Sequence, residues 1–198
     1  MVPNSSRSSA SRRGGAGYAV FAEALRDLLD AVSCSNPPEE LWSHLEERLR
    51  DATAALQPWA AGEGNQPAGN RMDLPGRGNP MLPPFVLTDD TTTGLRGHVT
   101  FRPCHLGAGG AAHGGAITLL FDEILGRLSN PVGMPMARTA YLTVNYRQIA
   151  PIDVKLGLEA GVDKQDGRKR WITGRLLHGT AVVADAEGLF VHLRPGQP

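Results

Sequence analysis

Residues 105–129 read HLGAGGAAHGGAITLLFDEILGRLS, a glycine-rich loop running directly into a helical pattern. Ile117, Leu119, Leu120, Phe121, Ile124, Leu125 and Leu128 would cover most of the helix circumference, as in a helix wrapped by a sheet. Against that apolar surface, Gly115, Thr118, Asp122 and Gly126 form a narrow stripe of small or polar residues at spacings of three and four. A carboxylate buried there without a partner would cost several kcal/mol or take up a proton. Two readings of Asp122 stay open on this feature. It is a catalytic carboxylate facing a cleft, or a structural acid at a subunit contact.

On both sides of the helix the chain is extended. FVLTDD (85–90) and LRGHVTFRP (95–103) are strand-like, with a turn at TTTG between them. Downstream, Val154, Leu156, Leu158, Ala160 and Val162 alternate with Lys155, Gly157, Glu159 and Gly161, the period-two pattern of a half-buried strand. Asp166-Gly167 then signals a tight hairpin, and RWITGRLL (170–177) and AVVADAEGLFVHL (181–193) flank a His-Gly-Thr turn. One helix between two early strands and at least four later ones predicts an α+β domain. Its antiparallel sheet of about six strands packs on a single long helix.

Two amphipathic stretches precede that domain. In residues 18–32, Phe21, Leu25, Leu28, Leu29 and Val32 share a helical face. Residues 35–56 open with Ser35 and Asn36 as capping candidates, two prolines and then acids, a helix-start pattern; Leu41, Leu45, Leu49 and Leu56 follow on one side. Both read as surface helices packed on the main domain or on each other. Residues 58–84 are too rich in Gly, Pro and Asn for a helix or central strand and read as a linker. Residues 1–15 are basic, Ser-rich and free of acids, which fits a disordered tail and also an organellar transit peptide; the tail reading is taken. The expected organisation is a tail (1–15), a helical extension (16–57), a linker (58–84) and a main domain (85–198).

With 20 basic and 20 acidic side chains the formal charge is zero. Bulk charge therefore gives no reason to expect nucleic acid or a membrane surface as partner. No apolar run approaches the ~20 residues needed to span a bilayer. Cys34 and Cys104 have no metal-like spacing and no disulfide framework is indicated, so a reduced, cytoplasmic setting without metal is expected.

His113-Gly114-Gly115-Ala116, with Asp122 nine positions after the histidine, resembles the signature of hotdog-fold acyl-CoA thioesterases. The resemblance is to the phenylacetate-pathway (PaaI-like) group and the thioesterase superfamily members similar to it. Thr139-Ala140-Tyr141-Leu142-Thr143-Val144-Asn145-Tyr146-Arg147, followed by Ala150-Pro151, looks like a strand of that family. The resemblance covers roughly residues 85–194 and none of the first eighty.

It implies a hydrolase acting on acyl-CoA thioesters, with fatty acid metabolism as its setting and no cofactor, since coenzyme A is part of the substrate. The Gly114 amide would polarise the thioester carbonyl, with His113 shaping the turn. Asp122 would act as general base or as nucleophile, and Thr139 would sit across a dimer interface. The chemistry agrees, because a glycine-rich turn opening a helix offers unhindered N–H groups and the positive end of the helix dipole. Substrate contacts are expected from Gly115, His105 and Arg147, with Lys164 and Arg168 as further candidates for the phosphates. Lys169 and Arg170 read as solvated hairpin charges, and Glu123 as a partner for Arg127 at i+4. A homodimer or dimer of dimers is implied.

One departure stands out. Related enzymes often carry an Asn, Gln or acidic residue several positions before HGG, where this chain has Gly107. Two rival functions remain: a non-catalytic acyl-CoA-binding hotdog protein and a hotdog hydratase. The amphipathic N-terminal helices could cap the pocket and favour a bulky apolar acyl group.

Overall fold

The computed structural model describes residues 13–194 together with Gly196 and Gln197. The tail reading for residues 1–15 falls largely on residues 1–12, outside the described residues. The chain divides into two compact units, with the division between Pro80 and Met81.

The first unit carries helices α1 (Gly15–Ser33) and α2 (Glu39–Leu56). The N-cap of α2 is Pro38 rather than Ser35 or Asn36. The Ser35 hydroxyl is occupied elsewhere, donating back to the Ala31 carbonyl at the end of α1 (2.5 Å). Glu39 and Glu40 fill the first turn of α2, where the helix dipole favours acids. Residues 58–80 hold only two short 3-10 turns, yet their backbone is tied to α1. Arg26 donates to the Pro75 and Asn79 carbonyls (3.0 Å each), and the Tyr18 hydroxyl to Gly78 O (2.7 Å). Arg71 forks onto the Asp73 carboxylate (2.8 and 2.7 Å) and also donates to the carbonyls of Arg13 and Gly15. Buried loop carbonyls need donors, and two buried guanidiniums supply them. The Arg71 hydrogen bond holds the Asp73 carboxyl below the usual range.

The second unit has six strands: β1 (Val86–Asp90), β2 (Gly94–Thr100), β3 (Ala137–Tyr146), β4 (Lys155–Asp166), β5 (Lys169–His178) and β6 (Ala181–His192). They form one sheet in the order β1-β2-β4-β5-β6-β3, with every neighbouring pair antiparallel. Helix α3 (Gly114–Ser129) lies on it. The expected hotdog architecture is present. Ile117, Leu120, Phe121, Ile124, Leu125 and Leu128 are the buried residues of one α3 face, spaced at three and four. They meet Leu156, Leu158, Ile172, Leu176, Ala184, Ala186 and Phe190 from the strands in one core. On β5, a Cβ at Gly174 would come within 3.1–3.2 Å of Leu125 and Phe121, so glycine there lets the helix lie close to the sheet.

The β4–β5 hairpin turns at Gly167 and Arg168, between the paired Asp166 and Lys169. Gly167 takes φ +54° at the first loop position, a place suited to glycine. Arg170 corrects the solvated reading of this hairpin. It points to the inner face of β5 and is buried, donating to Leu128 O at the end of α3 (3.0 Å) and to Thr92 O (2.9 Å). The last carbonyls of a helix lack intrahelical partners, and Arg170 answers that need. Burial lowers its pKa. Arg170→Met should therefore cost about 2 kcal/mol by orphaning two carbonyls, read as a lower urea midpoint. An unchanged midpoint would mean that desolvation of the charge cancels the bonds.

Candidate functional site

The α3 N-terminus is built by a loop fastened at several points. His113 N donates to His105 O (2.7 Å), Ala112 N to Ala150 O (2.8 Å) and Gly107 N to Ala111 O (2.9 Å). His105 does not face out as a substrate ligand would. Its Nδ1 accepts from the Arg102 N–H (2.9 Å), closing a short turn, and its ring lies edge-on to Phe101. His113 is the N-cap of α3, and its Nδ1 accepts from the Gly115 N–H (2.9 Å). That bond places the ring proton of the neutral imidazole on Nε2. It also occupies the Gly115 amide, so Gly115 has no N–H to offer a substrate.

The Gly114 amide is different. Among the described residues nothing accepts from its N–H. The carbonyl of the same peptide group, His113 O, accepts from both Ala116 N (2.9 Å) and Ile117 N (3.2 Å). Bonds onto the carbonyl end of a peptide strengthen its N–H as a donor. Gly114 also lines an open cleft of about 480 Å³ with Ala112, Ile117, Tyr146, Arg147 and Ile149.

Asp122 stands two turns further along α3. Asp122 is exposed in the single chain, because α3 lies on one face of the sheet and only its sheet side is covered. Thr139, expected across a dimer interface, meets Asp122 within one chain. Its Oγ1 donates to Asp122 Oδ1 of the same chain at 3.2 Å. A β-bulge causes this. The β3–β6 register shifts between Thr139 and Tyr141, so Thr139 pairs with Phe190 and Tyr141 with Leu189. The extra residue turns Thr139 toward the helix side, with Leu142, Val144 and Tyr146 following on that side and Tyr141 on the other.

Tyr146 lies in the motif strand with no expected role, and the structure gives it contacts. Its hydroxyl lies 3.0 Å from Gly114 O and 2.9 Å from Thr118 Oγ1, while Thr118 donates to Gly114 O at 3.0 Å. Only the motif's position could have pointed to it.

The basic candidates separate. Arg147 lines the cleft and forks onto Asp185 (Nε–Oδ2 2.5 Å, Nη2–Oδ1 3.3 Å). Arg147, with help from Asn145, holds the Asp185 carboxyl low. Lys164 sits over the Trp171 ring at 5.1 Å, and Arg168 donates to His192 O (2.6 Å). By register Arg168 falls at the Arg138 end of β3, about 30 Å along the strand from Arg147, and Lys164 falls level with Tyr141, about 20 Å away. The single chain does not bring them to the same cleft. Arg127 ion-pairs with Asp90 on β1. No group of three or more metal-ligating side chains is gathered among the described residues, nor is any described helix long and apolar enough to cross a membrane.

No family model matches the chain. An inferred esterase of Pseudomonas aeruginosa is 31% identical over 113 residues, 56% of this chain and 84% of that protein. An acyl-coenzyme A thioesterase of Bos taurus is 30% identical over 91 residues, 45% of this chain. The chain matches only 37% of that longer relative. Among solved structures, a thioesterase superfamily protein superposes with a TM-score of 0.74 at 26% identity, covering 90% of this chain and 96% of that one. Coverage that large reaches beyond residues 81–198 into the helical unit. The chain belongs to the hotdog-fold thioesterase superfamily.

Proposed function

We propose that the chain hydrolyses acyl-CoA thioesters to a free acid and coenzyme A. The observation that carries this is the exposed Asp122 carboxylate held by the Thr139 hydroxyl on the helix whose first amide, Gly114, is unengaged. Hydrolysis needs both parts: a base or nucleophile, and a donor for the charge that develops on the carbonyl oxygen. As a base, Asp122 takes a proton from water while the water oxygen bonds to the thioester carbon. The carbonyl oxygen becomes an oxyanion on the Gly114 N–H. The oxyanion then re-forms the carbonyl as the C–S bond breaks, and the leaving thiolate takes back the proton held by Asp122, giving the free acid and coenzyme A. As a nucleophile, Asp122 itself forms a mixed anhydride that water opens. The acyl-coenzyme A specificity of the bovine relative supports the same substrate class.

The geometry favours a site shared between two subunits. Eight residues separate Gly114 from Asp122 on α3, a rise of about 12 Å. A reacting carbonyl needs its attacking oxygen within about 3.5 Å and its oxyanion donor within about 3 Å. A two-fold axis near Thr118 would set Gly114 of one subunit beside Asp122 and Thr139 of its partner. The outer edge of β3, at the end of the sheet order, and the small-residue stripe leave room for such an approach. On this reading Asp122 and Thr139 act together from one copy, and Gly114 comes from the other.

Thiol release from short, medium, long and aryl acyl-CoAs tests the proposal. Turnover on any class supports it. Binding of acyl-CoA without turnover would favour a non-catalytic acyl-CoA-binding protein, a reading that Gly107, with no side chain to contribute, favours. A Cβ there would lie 3.1 Å from His113 Cα, so a side chain at 107 would need the loop to shift by a few tenths of an ångström. Arg147→Ala should raise the Michaelis constant severalfold with kcat little changed. Three of the five guanidinium N–H groups remain after the Asp185 contacts, enough to meet a phosphate. An unchanged constant would assign Arg147 to β3–β6 pairing alone.

A further inference from the structure

We propose that Tyr146 is a positioning residue for the oxyanion donor, fixing the Gly114 residue through a two-hydroxyl clamp shared with Thr118. The proposal rests on the hydrolase reading, which makes the Gly114 N–H the group that needs fixing.

Gly114 is held from both sides. The peptide before it is anchored by the two amides that bond His113 O. The peptide after it is gripped at Gly114 O by Thr118 Oγ1 and Tyr146 Oη, both at 3.0 Å. The two hydroxyls are also 2.9 Å apart. Two protons serve three oxygens, so one hydroxyl donates to the carbonyl while the second donates to it or to the first. Either arrangement is closed, and it crosses from α3 to the edge strand β3.

Contact between the phenol and position 114 is close. A Cβ there would lie 3.1 Å from Tyr146 Oη and 3.2 Å from its Cζ. A side chain at 114 would therefore press on the phenol, which must give by a few tenths of an ångström to keep its bond to the carbonyl. The two glycines of the motif have separate reasons. A Cβ at Gly115 would meet His113 Nδ1 at 3.0 Å, disturbing the cap instead.

The clamp fills a gap that the helix leaves. At an α-helix N-terminus the first amides have no intrahelical acceptor, and glycine adds backbone freedom. An amide aimed at a developing oxyanion acts through preorganisation, so a small loss of direction costs rate more than binding. Tyr146 also lines the cleft with Gly114, placing the phenol where it can hold that direction.

The test compares Tyr146→Phe, Thr118→Val and Thr118→Ser for kcat, KM, thermal midpoint and the Gly114 amide signal in a nitrogen–proton correlation spectrum. Tyr146→Phe keeps the ring and removes the hydroxyl. It should lower kcat about tenfold, a hydrogen bond's worth of rate, with KM and midpoint near wild type and the Gly114 signal shifted. Thr118→Val should lower kcat in the same way, and Thr118→Ser, which keeps the hydroxyl, should restore it. A wild-type kcat for Tyr146→Phe overturns the proposal, as does a Thr118→Ser variant no better than Thr118→Val. Should Tyr146→Phe fail to fold, the Thr118 pair decides. Should the wild type hydrolyse no acyl-CoA, the hydrolase reading falls. The Gly114 signal then separates the two ideas: a shift in Tyr146→Phe upholds the clamp and an unmoved signal removes it.

Discussion

Asp122→Asn should reduce thiol release on the order of a thousandfold or more, in the range that loss of a catalytic base or nucleophile produces. The same substitution should leave the thermal midpoint and the oligomeric state almost unchanged. Both expectations follow from the near-identical size of Asn and Asp and from the hydrogen bond that Asn can still accept. Asp122 is solvent-facing in the chain, and its one described hydrogen bond, from Thr139 Oγ1 at 3.2 Å, has a side-chain oxygen to accept it in the Asn variant too. A catalytic carboxylate and a structural one thus diverge in opposite readouts. A structural acid at a subunit contact would give a weaker dimer and only proportionate loss of rate. Retained turnover by Asp122→Asn with an intact dimer would remove Asp122 from the chemistry altogether.

The same residue shows where sequence reading stops. Spacing places Ile117, Leu120, Phe121, Ile124, Leu125 and Leu128 on one side of α3, and those six are buried. Spacing does not say how much of the helix other elements cover, so the apolar circumference points to a wrapped helix and leaves the surroundings of Asp122 open. Likewise, alternation in β4 and the Asp166-Gly167 signal made the hairpin legible, but the turn slid one residue because Gly167 takes the left-handed position. The bulge at Ala140 was not legible at all. Period-two counting puts Thr139 and Tyr141 on one face, and only the register with β6 shows them on opposite faces. That single extra residue decides whether Thr139 reaches its own Asp122. Arg170 escaped for a related reason. A charge in a hairpin sequence looks solvated until a helix end, needing donors for its carbonyls, is found above it. The role of residues 58–80 escaped too, since composition reports the lack of regular structure and not the donors from Arg26 and Arg71.

Two inactive variants should restore each other's activity if the site is shared between subunits. Asp122→Asn removes the carboxylate. Gly114→Val removes the amide's geometry, since a branched side chain would collide with the Tyr146 phenol, already 3.1 Å from where a Cβ would stand. Each homodimer then has two defective sites. In a mixed dimer, one site draws wild-type Asp122 from the Gly114 variant and wild-type Gly114 from the Asp122 variant, while the second site inherits both defects. Co-refolding equal amounts makes half the dimers mixed, each with one working site of two, so about a quarter of wild-type turnover should return. The gain is from near zero, so the signal is large. If Gly114 and Asp122 served the same carbonyl within one chain, every site in the mixed dimer would be defective and mixing would restore nothing. The Thr139–Asp122 contact adds a second sign to the same experiment. Thr139→Val mixed with Gly114→Val should complement, and Thr139→Val mixed with Asp122→Asn should not, because those two side chains lie in one chain and act on one site.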